Sequence, residues 1–73
     1  MPTNDFFINE LGKHINKLRE ERNLSFQQMA DCCEMDKAQV HKICTQGKDI
    51  RVSSIVKLSN GLGVSISQIL YIE

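Results

Sequence analysis

The sequence predicts an all-α fold of five helices in one small domain. Three copies of one six-residue pattern, "LSFQQM", "MDKAQV" and "VSISQI", begin at Leu24, Met35 and Val64. Before and between these copies, apolar residues recur at spacings of three and four, which is the period of an amphipathic helix. A length of 73 residues fits one domain, residues 1–73, and no segment has the two-residue alternation of a strand.

The repeated pattern is that of a helix start with a capping box. The predicted N-caps are Ser25, Asp36 and Ser65, whose side chains can accept hydrogen bonds from the free backbone N–H groups of a first turn. In each copy a glutamine three residues later can bond back to the N–H of the cap residue. The apolar residues on either side would pack as a hydrophobic staple. Each copy therefore predicts a helix that begins directly after its N-cap residue.

Apolar spacing supplies the first helix and the core faces of the next two. Ile8, Leu11, Ile15 and Leu18 form one stripe, which predicts a helix from about residue 4 to residue 22 that stops at Asn23. The residues expected inside from the second and third helices are Met29, Ala30, Cys33, Val40 and Ile43.

The second half of the chain is predicted as a loop and two helices. The segment "TQGKDIR", residues 45–51, has no period and contains a glycine, so it reads as a loop. A fourth helix is expected over residues 52–60, with Gly61 and Gly63 at its end. The inward residues of the last two helices are expected to be Ile55, Leu58, Leu62, Ile69 and Leu70.

Composition limits the classes of protein that fit. No apolar run approaches the ~20 residues of a membrane span, and the N-terminus lacks the order of a signal peptide. Three cysteines without disulfide spacing suit the reducing cytoplasm, so a cytoplasmic protein without a membrane partner is expected. The net charge is zero, but residues 36–51 hold four basic and two acidic side chains, while residues 1–35 hold four basic and six acidic ones. Positive charge therefore gathers at the third helix and the loop after it.

The first two caps, Ser25 and Asp36, are eleven residues apart. That spacing leaves about two turns of helix and a tight bend, which predicts a helix-turn-helix over residues 25–44. In this motif the second helix enters the major groove of DNA.

Three stretches carry a resemblance that covers most of the chain: "LGKHINKLREERNLSFQQMA", "MDKAQVHKI" and "SSIVKLSNGLGVSISQIL". With them the sequence resembles the phage-repressor and Cro-like (XRE-type) helix-turn-helix family, and its loop "GKDIRVSSI" is similar to that of small controller or prophage-type regulators. The resemblance implies a lambda-repressor-like fold and double-stranded DNA as the partner. It implies a transcriptional regulator, expected to be a repressor that binds a palindromic operator as a homodimer.

The exposed face of the third helix supplies the predicted base readers. The resemblance places Lys37, Ala38 and Gln39 over base edges, and the outward residues next to the inward Val40 and Ile43 extend the face. Lysine suits guanine, glutamine suits adenine, and a methyl group suits thymine. The predicted base contacts are Lys37, Ala38, Gln39, His41 and Lys42, and the predicted phosphate contacts are Gln27, Gly47, Lys48 and Arg51.

The sequence departs from the family pattern at four positions. Phe26 stands where the family often has a phosphate-binding glutamine, and Glu34 stands at a turn position that is usually glycine. Arg19 lacks the acid that the family often places at the position of Cys44, so it must pair elsewhere or lie exposed. Ile50 occupies a proline position of the loop.

Other residues favour no enzyme, cofactor, small-molecule ligand or metal. Cys32 and Cys33 are adjacent and lack the spacing of a zinc site, so a buried small hydrophobe is the better interpretation of Cys33. Redox sensing by Cys32 or Cys44 stays open. A protein-binding use of the fold, as an antitoxin-like or adaptor module, is the alternative that zero net charge and Phe26 favour. The candidates for a dimer contact are Phe6, Phe7, Tyr71 and Ile72.

Overall fold

The computed structural model describes residues 4–47 and 50–71, with side chains for all of these except residues 4–6 and 8. This part of the chain forms five helices and contains no strand. They are α1 (Asn4–Glu21), α2 (Phe26–Cys33), α3 (Lys37–Gln46), α4 (Val52–Leu62) and α5 (Ile66–Leu70). None of them is both long and apolar enough to cross a membrane. The all-α, five-helix prediction is confirmed.

One core joins all five helices. α1 packs against α3 and α5, α2 packs against α3 and α4, and α4 packs against α5. Burying such apolar side chains supplies most of the free energy that holds the bundle together. The buried apolar residues are Leu11 and Ile15 from α1, Met29, Ala30 and Cys33 from α2, Val40, Ile43 and Cys44 from α3, Leu58 and Leu62 from α4, and Ile69 from α5.

Two helix boundaries and one core assignment differ from the prediction. α3 continues through Thr45 and Gln46, so the loop before α4 is shorter than residues 45–51. α4 continues past residue 60 to Leu62, so Gly61 lies inside the helix. Leu70 is 39% exposed, because the short α5 turns only Ile69 into the core.

Two of the three predicted capping boxes form. The Ser25 hydroxyl accepts from the backbone N–H of Gln28 at 3.0 Å, and the Gln28 side chain accepts from the Ser25 N–H at 2.8 Å. Ser65 and Gln68 repeat the arrangement at the start of α5, at 3.2 and 2.8 Å. These reciprocal bonds satisfy backbone donors that the first helical turn leaves free.

The predicted box at Asp36 does not form. Asp36 has the extended backbone of an N-cap, but its side chain makes no cap hydrogen bond. Gln39, the expected partner, instead donates from Nε2 to the Ser54 hydroxyl of α4 at 3.2 Å. A tertiary partner has therefore replaced the local one, and the side chain of Asp36 contributes only its charge to the start of α3.

The turn between α2 and α3 uses a left-handed residue. Glu34 has φ 56° and ψ 47°, and its N–H donates to the Ala30 carbonyl. The Met35 N–H donates to the same carbonyl at 2.9 Å. A left-handed backbone costs a non-glycine residue ~1–2 kcal/mol. Glu34 therefore adopts, at this cost, the left-handed backbone of a turn position that is usually glycine in the family.

Two glycines bring helices into close contact. A Cβ on Gly12 of α1 would lie 2.5 Å from the Ile43 carbonyl oxygen and 2.8 Å from the Gly47 Cα at the end of α3. A Cβ on Gly61 of α4 would lie 2.5 Å from the Cys33 Sγ and 2.8 Å from the Cys32 carbonyl oxygen. Gly61 therefore does not mark the end of α4, as the sequence suggested, but permits the contact of α4 with α2.

The caps of α2 and α3 should respond differently to alanine. Ser25→Ala should lower the free energy of unfolding by ~0.5–2 kcal/mol, because a hydrogen bond to the backbone is lost. Asp36→Ala should cost only the attraction between a carboxylate and a helix N-terminus, ~0.3–1 kcal/mol at low ionic strength. Urea unfolding at low salt and at about 1 M salt, where the Debye length is ~3 Å, separates the two.

The decrease in the free energy of unfolding caused by Ser25→Ala should persist at high salt, whereas the decrease caused by Asp36→Ala should vanish. If Asp36→Ala lowered the free energy of unfolding as much as Ser25→Ala does in about 1 M salt, the absence of a side-chain cap hydrogen bond at Asp36 would be contradicted.

Candidate nucleic-acid interface

The exposed face of α3 is continuous from its first turn to its last. A helix turns 100° per residue, so Ala38 and Lys42 lie opposite the buried Val40, with Gln39 and His41 on the two flanks. Ala38 and Lys42 therefore lie on the outer side of α3, between Gln39 and His41 on its flanks. Lys37 stands only about 60° around the helix from Val40, and it is exposed because it lies at the start of α3.

Four predicted DNA contacts meet in one open depression of about 320 Å³. Ala38, Gln39 and Lys42 line it from α3, and Arg51 lines it from the N-cap position of α4. Asp36 completes its wall. The depression thus combines a methyl group, an amide and two cations with a carboxylate, which is the mixture of groups that reads base edges and binds phosphate.

Gln39 is fixed within this depression by α4. Its side chain is half-buried, and its Nε2 donates to the hydroxyl of Ser54, which is 2% exposed. The amide is therefore held by a buried partner instead of by its own helix cap.

Phe26 lies between Arg19 and His41. The Arg19 guanidinium stands 4.3 Å from the centroid of the Phe26 ring, a cation–π contact. The His41 ring meets the same phenyl ring edge-on, with 5.0 Å between centroids and 72° between planes. Phe26 thus joins α1, α2 and α3, and it packs one side of His41, a predicted base reader that lies outside the depression.

Arg19 donates hydrogen bonds to neutral groups, since no acid stands at the position of Cys44. Its Nη1 donates to the Leu24 carbonyl at 2.6 Å, and its Nε and Nη2 donate to the Asn16 side-chain oxygen at 3.1 and 3.0 Å. Arg19 also lies near the Cys44 thiol, where it opposes the rise in the pKa of that thiol. The cation therefore pairs elsewhere, as the sequence required.

The predicted phosphate contacts have different surroundings. Arg51 is exposed beside the depression. Gln27 is exposed in the first turn of α2, and its amide donates to Asp31 at 2.9 Å. Lys48 lies outside the described residues. The prediction for Gly47 needs correction, because this residue is buried. Its N–H donates to the Ile43 and Lys42 carbonyls at the end of α3, so it is not available to bind phosphate.

Thr45 belongs to the same face, although the sequence predicts a loop over residues 45–51. It is exposed one turn after His41, and its hydroxyl donates to the His41 carbonyl at 2.6 Å. The signal was present in the sequence, since Thr45 stands three residues after Lys42 and seven after Ala38. Extending the helical period by one turn would have included it.

Residues 14–73 match the Cro/C1-type HTH DNA-binding domain. The chain belongs to that family. The match spans the whole helix-turn-helix and confirms the resemblance seen in the sequence. No curated protein matches the chain in sequence.

Solved structures share the fold of this Cro/C1-type domain. The restriction-modification controller protein C.AhdI from Aeromonas hydrophila is 19% identical with a TM-score of 0.79, over 85% of this chain and 94% of its own. An HTH_3 family transcriptional regulator from Vibrio cholerae is 24% identical with a TM-score of 0.85, over 92% of this chain and 38% of its own. A hypothetical transcription factor, NHTF from Neisseria, is 24% identical with a TM-score of 0.82, over 99% and 83%. At these identities the likeness establishes the fold.

The predicted dimer residues are partly described. Phe7 of α1 is 48% exposed and Tyr71 after α5 is 66% exposed. Tyr71 also lines an open groove of about 440 Å³ between α1 and α5, where a ring nitrogen of His14 lies 2.8 Å from the Gln68 carbonyl oxygen. The side chain of Phe6 and the whole of Ile72 lie outside the described residues.

The three cysteines of the domain differ in access. Cys32 is exposed, while Cys33 and Cys44 are buried. Burial raises the pKa of Cys33 from 9.0 to about 11, and the neighbouring Cys32 and Cys44 add to the rise. Burial also raises the pKa of Cys44. Among the described side chains, no three of His, Cys, Asp and Glu are grouped to hold a metal ion.

Cys32 should be the thiol that reacts first with an alkylating reagent. The attacking species is the thiolate, and the raised pKa values and burial of Cys33 and Cys44 keep them protonated and covered. We expect iodoacetamide near pH 8, followed by mass spectrometry of peptides, to label Cys32 in the folded domain and all three thiols in denaturant. Labelling of Cys44 at the rate of Cys32 would contradict its burial.

Proposed function

We propose that the chain is a sequence-specific DNA-binding transcriptional regulator that reads its site with α3. The depression shared by Ala38, Gln39, Lys42 and Arg51 is the observation that supports this most directly. It sets base-reading groups beside a cation at the start of α4, so one face can bind both bases and phosphates. The family assignment supports DNA as the ligand.

We further propose that the protein acts as a repressor, in the cytoplasm, by occupying promoter DNA. Control of transcription is the role that the names of two proteins of similar fold indicate, the transcriptional regulator from Vibrio cholerae and the hypothetical transcription factor from Neisseria. Residues 1–73 would act as one domain, since residues 4–47 and 50–71 share one core. Repression by occupancy needs no site for a small molecule.

The proposed mechanism divides reading from holding. Lys37, Ala38, Gln39, His41 and Lys42 would face base edges, where lysine donates to guanine and a methyl group touches thymine. Arg51, Gln27 and Lys48 would contact phosphates and fix the register of the helix in the groove. With zero net charge overall, the part of the salt dependence that comes from these phosphate contacts would rest on two cations, Arg51 and Lys48.

Selection of bound duplexes from a random pool tests the proposal. An enriched motif with two-fold symmetry is expected. Lys37→Ala should then cost ~1–3 kcal/mol on the selected site and relax one base preference. Arg51→Ala should weaken binding to selected and scrambled duplexes alike and reduce the slope of log affinity against log salt by about one.

Lys57→Ala provides the matched control, because Lys57 is an exposed cation of α4 that lines a different depression, beside Cys32. It should change neither affinity nor slope. Equal losses for Lys37→Ala on both duplexes would show that α3 holds DNA without reading it.

A protein-binding function is the second candidate, and zero net charge favours it. Two apolar residues of α4, Val52 and Val56, are 79% and 40% exposed and would then form the contact with a protein partner. Phe26, which the sequence offered in support, instead packs against Arg19 and His41. A random pool that yields no enriched motif would favour this candidate over DNA binding.

We also propose a homodimer that joins through the ends of the chain. Phe7 and Tyr71 supply exposed aromatic surface, and a palindromic site would place two α3 helices ~34–36 Å apart. Sedimentation at tens of micromolar should show a dimer that Tyr71→Ser weakens. Val52→Ser, a comparable change at another exposed apolar residue, should leave it intact. Monomer alone in the wild type, with and without operator DNA, would contradict this proposal.

A further inference from the structure

Ser54 is the one buried residue with a polar side chain among those the structure describes. It lies in α4, outside the helix-turn-helix, and is 2% exposed. A buried hydroxyl is costly unless it is hydrogen-bonded. Its partner is the amide of Gln39, which donates from Nε2 to the Ser54 Oγ at 3.2 Å. A buried group of α4 therefore holds a side chain on the proposed DNA-reading face.

The bond to Ser54 uses only one of the hydrogen-bonding groups of the Gln39 side chain. A glutamine amide has two N–H donors and one oxygen acceptor. Ser54 takes one donor, so the other donor and Oε1 remain for the depression that Gln39 shares with Ala38 and Lys42. The depression is open to solvent, while the Ser54 end of the amide lies in the core. The amide is thus oriented with one end inside and the other end outside.

We propose that Ser54 is a positioning residue for base recognition, and that the base it directs Gln39 to select is adenine. The proposal rests on the function proposed above. Adenine presents one acceptor, N7, and one donor, the N6 amino group, in the major groove. These match the free N–H and the free Oε1 of Gln39. Guanine presents two acceptors there, and cytosine presents a donor, so neither matches both groups.

The hydrogen bond also ties α3 to α4, and that role alone would affect stability without affecting base choice. The two roles differ in what Ser54→Ala changes. A positioning role predicts that Gln39 loses its fixed orientation and its preference for adenine. A purely structural role predicts a lower melting temperature and an unchanged preference.

The experiment is selection of bound duplexes from a random pool, run for the wild type and for single and double variants. In the wild type one adenine should be preferred by about 5- to 150-fold, the range that ~1–3 kcal/mol per bidentate pair represents. Ser54→Ala and Gln39→Ala should each reduce the preference at that position to within about threefold, below the bidentate range. The double variant should lose no more than either single variant.

Ser53→Ala is the matched control, because Ser53 is the exposed neighbour of Ser54 on the same helix. It should leave the adenine preference unchanged. Gln39→Glu gives a second measurement that leaves Ser54 itself in place. Glutamate keeps the acceptor and lacks the N–H, so the preference should move from adenine to cytosine.

Three results would overturn the inference while leaving the proposed function standing. These are an enriched motif that Ser54→Ala leaves unchanged, an adenine preference that survives Gln39→Glu, and a wild-type preference for guanine at the position that Gln39→Ala relaxes. Failure of the wild type to enrich any motif would instead overturn the proposed function and this inference together.

Discussion

The end of α3 approaches α1 so closely that no side chain fits at Gly12. A Cβ there would collide with the Ile43 carbonyl and with Gly47, where α3 closes. Gly47 in turn adopts φ 62° and bonds the Ile43 and Lys42 carbonyls, so the close approach and the end of the helix form one structure. With its inner side packed into the core and its end fixed against α1, α3 has little freedom to rotate, and the direction of its outer side chains is set by the bundle.

Around that constraint the domain arranges two kinds of contact on α3. On one flank Phe26 packs against His41 and receives Arg19, so aromatic and cationic groups link three helices. On the other flank Gln39 bonds to Ser54 and shares a depression with Arg51. Both flanks are therefore braced by helices outside α3, and the middle of the face, at Ala38 and Lys42, is exposed. A rigid scaffold with an exposed helix face is suited to entering a groove of DNA.

The sequence predicted the helices well because their signals are local. Capping boxes at Ser25 and Ser65 depend on residues three positions apart, and apolar spacing within one helix identifies its buried side. What the sequence did not show depends on contacts between helices. The sequence places Gly61 at the end of α4, but the requirement for glycine comes from the close contact of Gly61 with Cys32 and Cys33 of α2. Gln39 had the correct spacing for a third capping box, but a buried hydroxyl fifteen residues later holds it instead. The same holds for the candidate site. The spacing of residues predicted α3 and its outward residues. It did not predict the bond from Gln39 to Ser54, or that the Gly47 N–H bonds the end of α3 and so cannot bind phosphate.

Arg19 bonds an amide oxygen and a carbonyl and faces a phenyl ring, where an acid would have given an ion pair. None of the groups that Arg19 itself contacts is a carboxylate, although the Asn16 amide donates in turn to the Glu20 carboxylate at 2.7 Å. Salt has less effect on a half-buried contact of this kind than on exposed charges. Cations on the outer surface of α3 and α4 are open to screening by salt, and contacts between cations and phosphates weaken steeply as salt rises. Folding and DNA binding therefore respond to different changes in the surrounding solution, and an increase in ionic strength can release the domain from DNA in a folded state that is ready to bind again.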